Sequence, residues 1–181
     1  MSMSPESVLT FWFEEIEQKS WWVKDPAFDQ LVAERFGCII EPAKKGELYH
    51  WRSTPKGRLA EIIVLDQFSR NVYRDSPMAF EADTMALALA QEAVSHHAEE
   101  ELSQAQIQFL YMPYMHSESR VIHEVAVTLF SRDAVNDNLP FELRHKEIID
   151  RFGRYPHRNK ILGRKSTPEE VEFLKQPGSS F

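Results

Sequence analysis

Apolar residues recur along this chain in steps of three and four. Leu9, Trp12, Phe13 and Ile16 fall at i, i+3, i+4 and i+7, and Phe28, Leu31 and Val32 begin the same pattern. That spacing puts side chains on one face of an α-helix. Five times a capping residue stands directly before a proline: Ser4-Pro5, Asp25-Pro26, Thr54-Pro55, Ser76-Pro77 and Thr167-Pro168. The first residue can accept from orphan helical N–H groups, and proline suits the first helical position, where its missing N–H costs nothing. "TPEE" at 167–170 and "SQAQ" at 103–106 each complete a capping box. No Asn-Gly or similar turn joins two alternating runs, so no hairpin is predicted. "ESRVIHEVAVTLF" has the length of a helix despite its β-branched residues.

The pattern predicts about eight helices, beginning near 5, 26, 55, 77, 104, 119, 140 and 168, in an all-α domain of antiparallel helices over 1–176. Residues 177–181, "PGSSF" without the preceding Gln, read as a flexible tail. Composition fits: 43% hydrophobic and 12% aromatic residues with only 6 glycines supply a packed core. The single cysteine, Cys38, lies in the apolar run "FGCII" and is expected to be a buried thiol. No apolar run approaches the roughly 20 residues a bilayer requires, and the N-terminal stretch has no basic start, so a cytoplasmic chain is expected. The formal net charge of −7 argues against nucleic acid as a partner.

Against that charge, "RFGRYPHRN" at 151–159 stands out. From Arg144 to Lys165 there are eight Lys/Arg against Glu147 and Asp150, a local +6, so the rest of the chain sums to −13. Arg151 in the last turn of a helix ending at Gly153 suits the helix dipole. Arg154, His157, Arg158 and Asn159 need another explanation. Either Asp66, Glu118 and Asp150 neutralise the cations internally, or an anionic ligand does.

Two further polar concentrations exist. In "LAEIIVLDQFSRNVYR" (59–74), Ile62, Leu65, Phe68 and Val72 line one helix side, while Gln67, Arg70, Asn71 and Arg74 share another; Asp66 is one turn before Arg70. These are residue types suited to directed hydrogen bonds. In "FLYMPYMHSESR" (109–120), Pro113 interrupts a helical run ahead of His116 and Glu118, and His116, Arg120 and His123 have the spacing of one helix face. No Walker loop, dinucleotide fingerprint, nucleophile elbow or H-E-x-x-H is present. Two Glu-x-x-His runs, 47–50 and 142–145, do not suffice to predict a metal site, and no cofactor is implied.

"LDQFSRNVYRDSPMAFEAD", "FLYMPYMHSES" and "IIDRFGRYPHRNKILGRKSTPEEVEFL" resemble the bacterial family catalogued as domain of unknown function 924, as do "VLTFWF", "KDPAFDQLVAERFG" and "GELYHWRSTPKGRLAEIIVL". The resemblance implies a tetratricopeptide-like all-α fold and no established activity. It implies that Asp66, Gln67, Arg70, Asn71, Arg74, His116, Glu118, His145, Arg154, His157, Arg158 and Asn159 occupy signature positions. The expectation is a cationic pocket for a small phosphate or carboxylate. His116 or His157 would be its acid/base, Glu118 the orienting carboxylate, and Asp66, Gln67, Arg70, Asn71, Arg74, His145, Arg154, Arg158 and Asn159 the ligand-binding set. The competing expectation is an interaction module that holds an acidic peptide, with these residues forming a structural Arg/Asp/Glu network.

Overall fold

A computed structural model describes residues 3–181. Its α-helical segments are α1 (Pro5–Thr10), α2 (Pro26–Lys44), α3 (Pro55–Ile63), α4 (Ser69–Val72), α5 (Asp83–Ser95), α6 (Gln104–Met115), α7 (Arg120–Phe130), α8 (Leu139–Phe152) and α9 (Pro168–Phe173). A π turn, Val64–Phe68, joins α3 to α4 in one continuous rod, so the described residues hold eight helices and no strand.

The predicted caps form. Ser4, Asp25, Thr54, Ser76 and Thr167 each accept a backbone N–H, and both capping boxes close. One boundary differs. Ser76-Pro77 opens only a 3-10 turn, Pro77–Ala79, and α5 starts at Asp83. The turn's i→i+3 bonds tighten the backbone and set Phe80 over two guanidinium groups, described below. Cys38 is exposed rather than buried. The inward face of α2 is Phe28, Val32, Phe36, Ile39, Ile40 and Ala43, and Cys38 falls outside that stripe.

The rod from Pro55 to Val72 is the centre of the molecule. Leu59 through Asp66, Phe68 and Ser69 are all buried, polar residues included. A helix buried all round must pack on every side, and α1, α2, α5 and α6 surround this one. Consecutive helices then continue the stack, α6 on α7 and α7 on α8. At its start, Gly57 is in close contact with the preceding turn: a Cβ there would sit 1.9 Å from the Trp51 carbonyl oxygen. A second, smaller apolar cluster, Ile148, Ile149 and Tyr155 with Phe152 and Phe173, gathers beneath the C-terminal segments. Gly153 adopts φ 69°, the left-handed C′ conformation predicted for it. Phe181 packs its ring against His145 (3.8 Å), His157 (4.5 Å) and Tyr155 (5.1 Å), and Ser179 donates to the Leu174 carbonyl.

Candidate active site

A cavity of about 340 Å³ opens where the 77–87 segment, the end of α6 and the 158–162 segment meet. Phe80, Asp83, His116, Ser117, Glu118 and Arg158 bring chemistry to its wall; Pro77, Leu87, Pro113 and Leu162 are among its apolar lining. The volume lies within the range of small-ligand sites.

Asp66, in the π turn, is the anchor behind the wall. It is buried and accepts from Nδ1 of His116 (2.7 Å), from Nη1 of Arg70 (3.1 Å) and from Nε2 of Gln67 (2.6 Å). The wider π turn alters the helical register at this point. Burial alone would raise the Asp66 carboxyl, but Arg70 and His116 outweigh it and hold it well below the usual carboxylate range. His116 is pushed down from its ordinary value by burial and then by the Arg70 cation, with Asp66 opposing. The pair is therefore a neutral imidazole donating Nδ1–H to a carboxylate, with Nε2 left as an acceptor. Among the described residues Nε2 carries no protein hydrogen bond. The orienting carboxylate is Asp66, not Glu118.

Glu118 instead accepts two bonds from Arg164 (2.6 and 2.9 Å) and one from the Tyr155 N–H (2.7 Å). Those bonds, with Arg158, overcome the effect of burial and lower its carboxyl. His116, Arg120 and His123 do not share a helix face, because α6 ends at Met115 and α7 begins at Arg120. Arg120 donates to the Ile149 and Asp150 carbonyls at the end of α8. His123 lies fully buried, Nδ1 against Glu142 (2.7 Å) and Nε2–H on the Ser117 carbonyl (2.8 Å). It thereby pins the 116–119 turn that carries three cavity residues, His116, Ser117 and Glu118.

The arginines of the patch divide sharply. Arg154 forks onto Glu170 (2.7 and 2.8 Å) and donates to the Lys165 carbonyl. Asn159 donates to Ser166 and Glu170 and accepts from Arg164. Arg151 meets Glu169, and Lys146 meets Asp150 and Glu124. Arg144, Lys160 and Lys165 are exposed. Arg158 is different. It is 5% exposed, its Nε is buried without a partner, and its one protein hydrogen bond is a 3.5 Å contact from Nη1 to Asp83. Its guanidinium carbon lies 4.6 Å from the ring centroids of both Phe80 and Tyr155. Asp83 is already engaged by a fork from Arg70 (2.8 and 2.9 Å).

Of the expected site residues, the structure brings His116, Glu118 and Arg158 to the cavity, with Asp66, Gln67 and Arg70 behind them. It places the others elsewhere. Asn71 and Arg74 bind Asp29 on α2, locking that helix to α4. Arg154 and Asn159 serve the Glu170 cap of α9. His145, bonded through Nδ1 to the Phe141 carbonyl, and His157 sit in the aromatic cluster with Tyr155 and Phe181. Burial pushes His145 down to about 3 and His157 to about 4. Arg70, Arg158 and Arg164 face Asp66, Asp83 and Glu118, so the charges balance, and only Arg158 lacks a close counter-ion. Phe80, Asp83 and Tyr155 were missing from the sequence-derived set. Phe80 and Asp83 lie in the family-like run "AFEAD", the one signal that pointed to them.

Residues 8–178 match the model of the family described as "Bacterial protein of unknown function (DUF924)". The chain belongs to this family. A solved structure of a protein of unknown function from Agrobacterium tumefaciens is 32% identical, covers 94% of this chain and 96% of its own, and superposes with a TM-score of 0.89. No curated protein matches the chain. Over its described residues the family member is all-α, and no helix among them is long and apolar enough to cross a membrane.

Proposed function

We propose that this protein binds a small anion in the cavity beside Arg158. The observation that carries the reading is the state of that one side chain. A buried cation without a close counter-ion costs several kcal/mol, whereas every other buried or half-buried arginine of the patch has a carboxylate within 3 Å. An anion in the cavity would remove that cost. His116, neutral and aimed by Asp66, is the group fitted to accept a proton from whatever is bound.

A second reading, ion pairs that lock helices together, accounts for Arg74–Asp29, Arg154–Glu170 and Arg164–Glu118. It does not account for Arg158. The test is thermal shift with inorganic phosphate and acetate as probes, on the natural protein and on Arg158→Met. A probe at about 100 times its dissociation constant stabilises by about 2.7 kcal/mol, or about 5–11 °C for a chain of this size. The reading requires a shift in the natural protein that disappears in Arg158→Met. Equal shifts in both would sink it.

A further inference from the structure

The two rings that enclose Arg158 are held in very different ways. Tyr155 is fully buried and tied down along its length: its hydroxyl donates to the Met115 carbonyl (2.5 Å), its N–H to Glu118 (2.7 Å), and its carbonyl accepts from Arg164 (3.1 Å). Phe80 is only partly buried and rides on the 75–82 segment. The backbone hydrogen bonds of that segment all stay within residues 73–86. Locally bonded backbone with few buried apolar groups opens at lower cost than the core. Arg158 itself is 5% exposed with its Nε wholly enclosed, so the guanidinium lies behind Phe80 rather than open to the cavity.

The ends of the segment are anchored. Arg74 before it is clamped to Asp29 on α2, and Asp83 after it takes the fork from Arg70 on α4. Directly after the clamp stands Asp75 at φ 60°, the left-handed region that a non-glycine residue enters at a cost. A few residues beside a fixed point, able to absorb a change in φ and ψ, are what a hinge consists of. What holds the segment down is light. Ala79 and Ala82 are its buried side chains. Glu81 reaches Lys44 at 3.1 Å, but Glu81 is 54% exposed and Lys44 also serves Glu41; exposed pairs of this kind contribute little. The remaining contact is the Phe80 ring, 4.6 Å from the Arg158 guanidinium carbon and 5.6 Å from that of Arg70. Lifting the ring exposes apolar surface, but it also returns water to a guanidinium that the closed state keeps dry, and the second effect offsets part of the first.

We infer that residues 75–82 are a hinged flap and Phe80 its gate. The flap swings about Asp75, lifts the ring from Arg158 and opens the guanidinium to the cavity, whose wall already includes Pro77, Phe80 and Glu81 from the same segment. What the flap admits rests on the anion-binding reading above; its motion does not.

Two measurements on the full chain without added ligand test the flap. In hydrogen exchange followed by NMR, the amides of Ala79 and Phe80 should exchange roughly a hundredfold faster than those of Ala86 and Ala90 in α5. Labelling of Arg158 by phenylglyoxal, read by peptide mass spectrometry, should be slow in the natural protein and about tenfold faster in Phe80→Ala, as the accessible fraction rises. Arg154, held by Glu170, serves as the reference whose labelling does not change. Glu81→Gln, which removes only the Lys44 latch, should speed Arg158 labelling by about twofold. Circular dichroism checks that each variant is folded. Exchange at Ala79 and Phe80 as slow as in α5 would overturn the flap, even with faster labelling in Phe80→Ala, since deleting a ring merely leaves a hole. Fast exchange with labelling unchanged in both variants would overturn the gate. If both readouts hold while inorganic phosphate and acetate leave Tm unmoved, the flap stands and the anion-binding reading falls.

Discussion

Arg154 and Arg158 stand four residues apart in one turn, and their surroundings are opposite. Arg154 is the more exposed, yet it has two carboxylate oxygens and a carbonyl within 3.0 Å. Arg158 is almost wholly enclosed, yet its only acceptor is at 3.5 Å and already shared with Arg70. A sequence offers no way to rank two arginines in the same motif. The structure ranks them by which cation the fold has satisfied and which it has left to something else.

The contrast can be broken experimentally. Arg154→Ala should give the largest loss of stability, about 5 °C or more in Tm, because it strands the buried Glu170 carboxylate at the α9 cap and removes a partner of the 159–170 network. Scanning calorimetry checks this, and a Tm within a degree of the natural protein would erase the distinction. Arg158→Met should act in the other direction and raise Tm by about 2–4 °C in ligand-free buffer, since an apolar side chain between Phe80 and Tyr155 replaces an ill-matched cation. A gain of stability paired with loss of anion binding is the signature of a residue kept for function rather than folding.

His157 sharpens the comparison from beside Arg158. Burial, reinforced by that cation, holds its imidazole near 4 against an ordinary 6.5. Between those values the unfolded chain takes up a proton that the folded chain refuses, so stability is complete above pH 6.5 and declines as pH falls toward 4. His157→Leu should flatten the Tm–pH slope over this window, leaving the part due to His116 and His145. An unchanged slope would mean that the acid sensitivity lies elsewhere. The smallest effect belongs to exposed Arg144, whose guanidinium lies only over Phe141 at 5.9 Å. Arg144→Gln should move neither Tm nor anion binding measurably, and a loss of anion binding there would show that the patch acts as a field rather than through one residue.

Much of the scaffold was readable before any coordinates. Ser/Thr/Asp–Pro caps are local chemistry: the capping oxygen and the N–H it satisfies lie within three residues, so Ser4, Asp25, Thr54 and Thr167 announced real helices. The exceptions were settled by contacts distant in the chain. Ser76-Pro77 carried the same signal, but Phe80 is held against Arg158, 78 positions later, and a 3-10 turn replaced the first helical turn. Cys38 has apolar neighbours in sequence, but burial is decided by the face of α2 that meets the central rod. At the site, residue types were legible and pairings were not. Asp66 meets His116 across 50 residues, and Arg74 meets Asp29 across 45. No periodicity within a helix carries that information, so Asn71, Arg74, Arg154 and Asn159, which are clamps, could not be told from Arg158, which is not.

The π turn at Val64–Phe68 has a consequence for chain length. An α-helix advances by about 100° per residue, and a π turn accommodates one residue more than the α ladder needs. Deleting a single residue from it would restore an ordinary helix and leave Pro55–Ile63 close to its present orientation relative to Ser69–Val72. Leu59, Ile62 and Ile63 would keep the seats they now occupy, while Asp66, inside the turn, would shift away from His116 and Arg70. The extra residue thus serves the placing of Asp66 rather than the packing of the rod, so a one-residue deletion here should cost the Asp66–His116 contact more than it costs the fold.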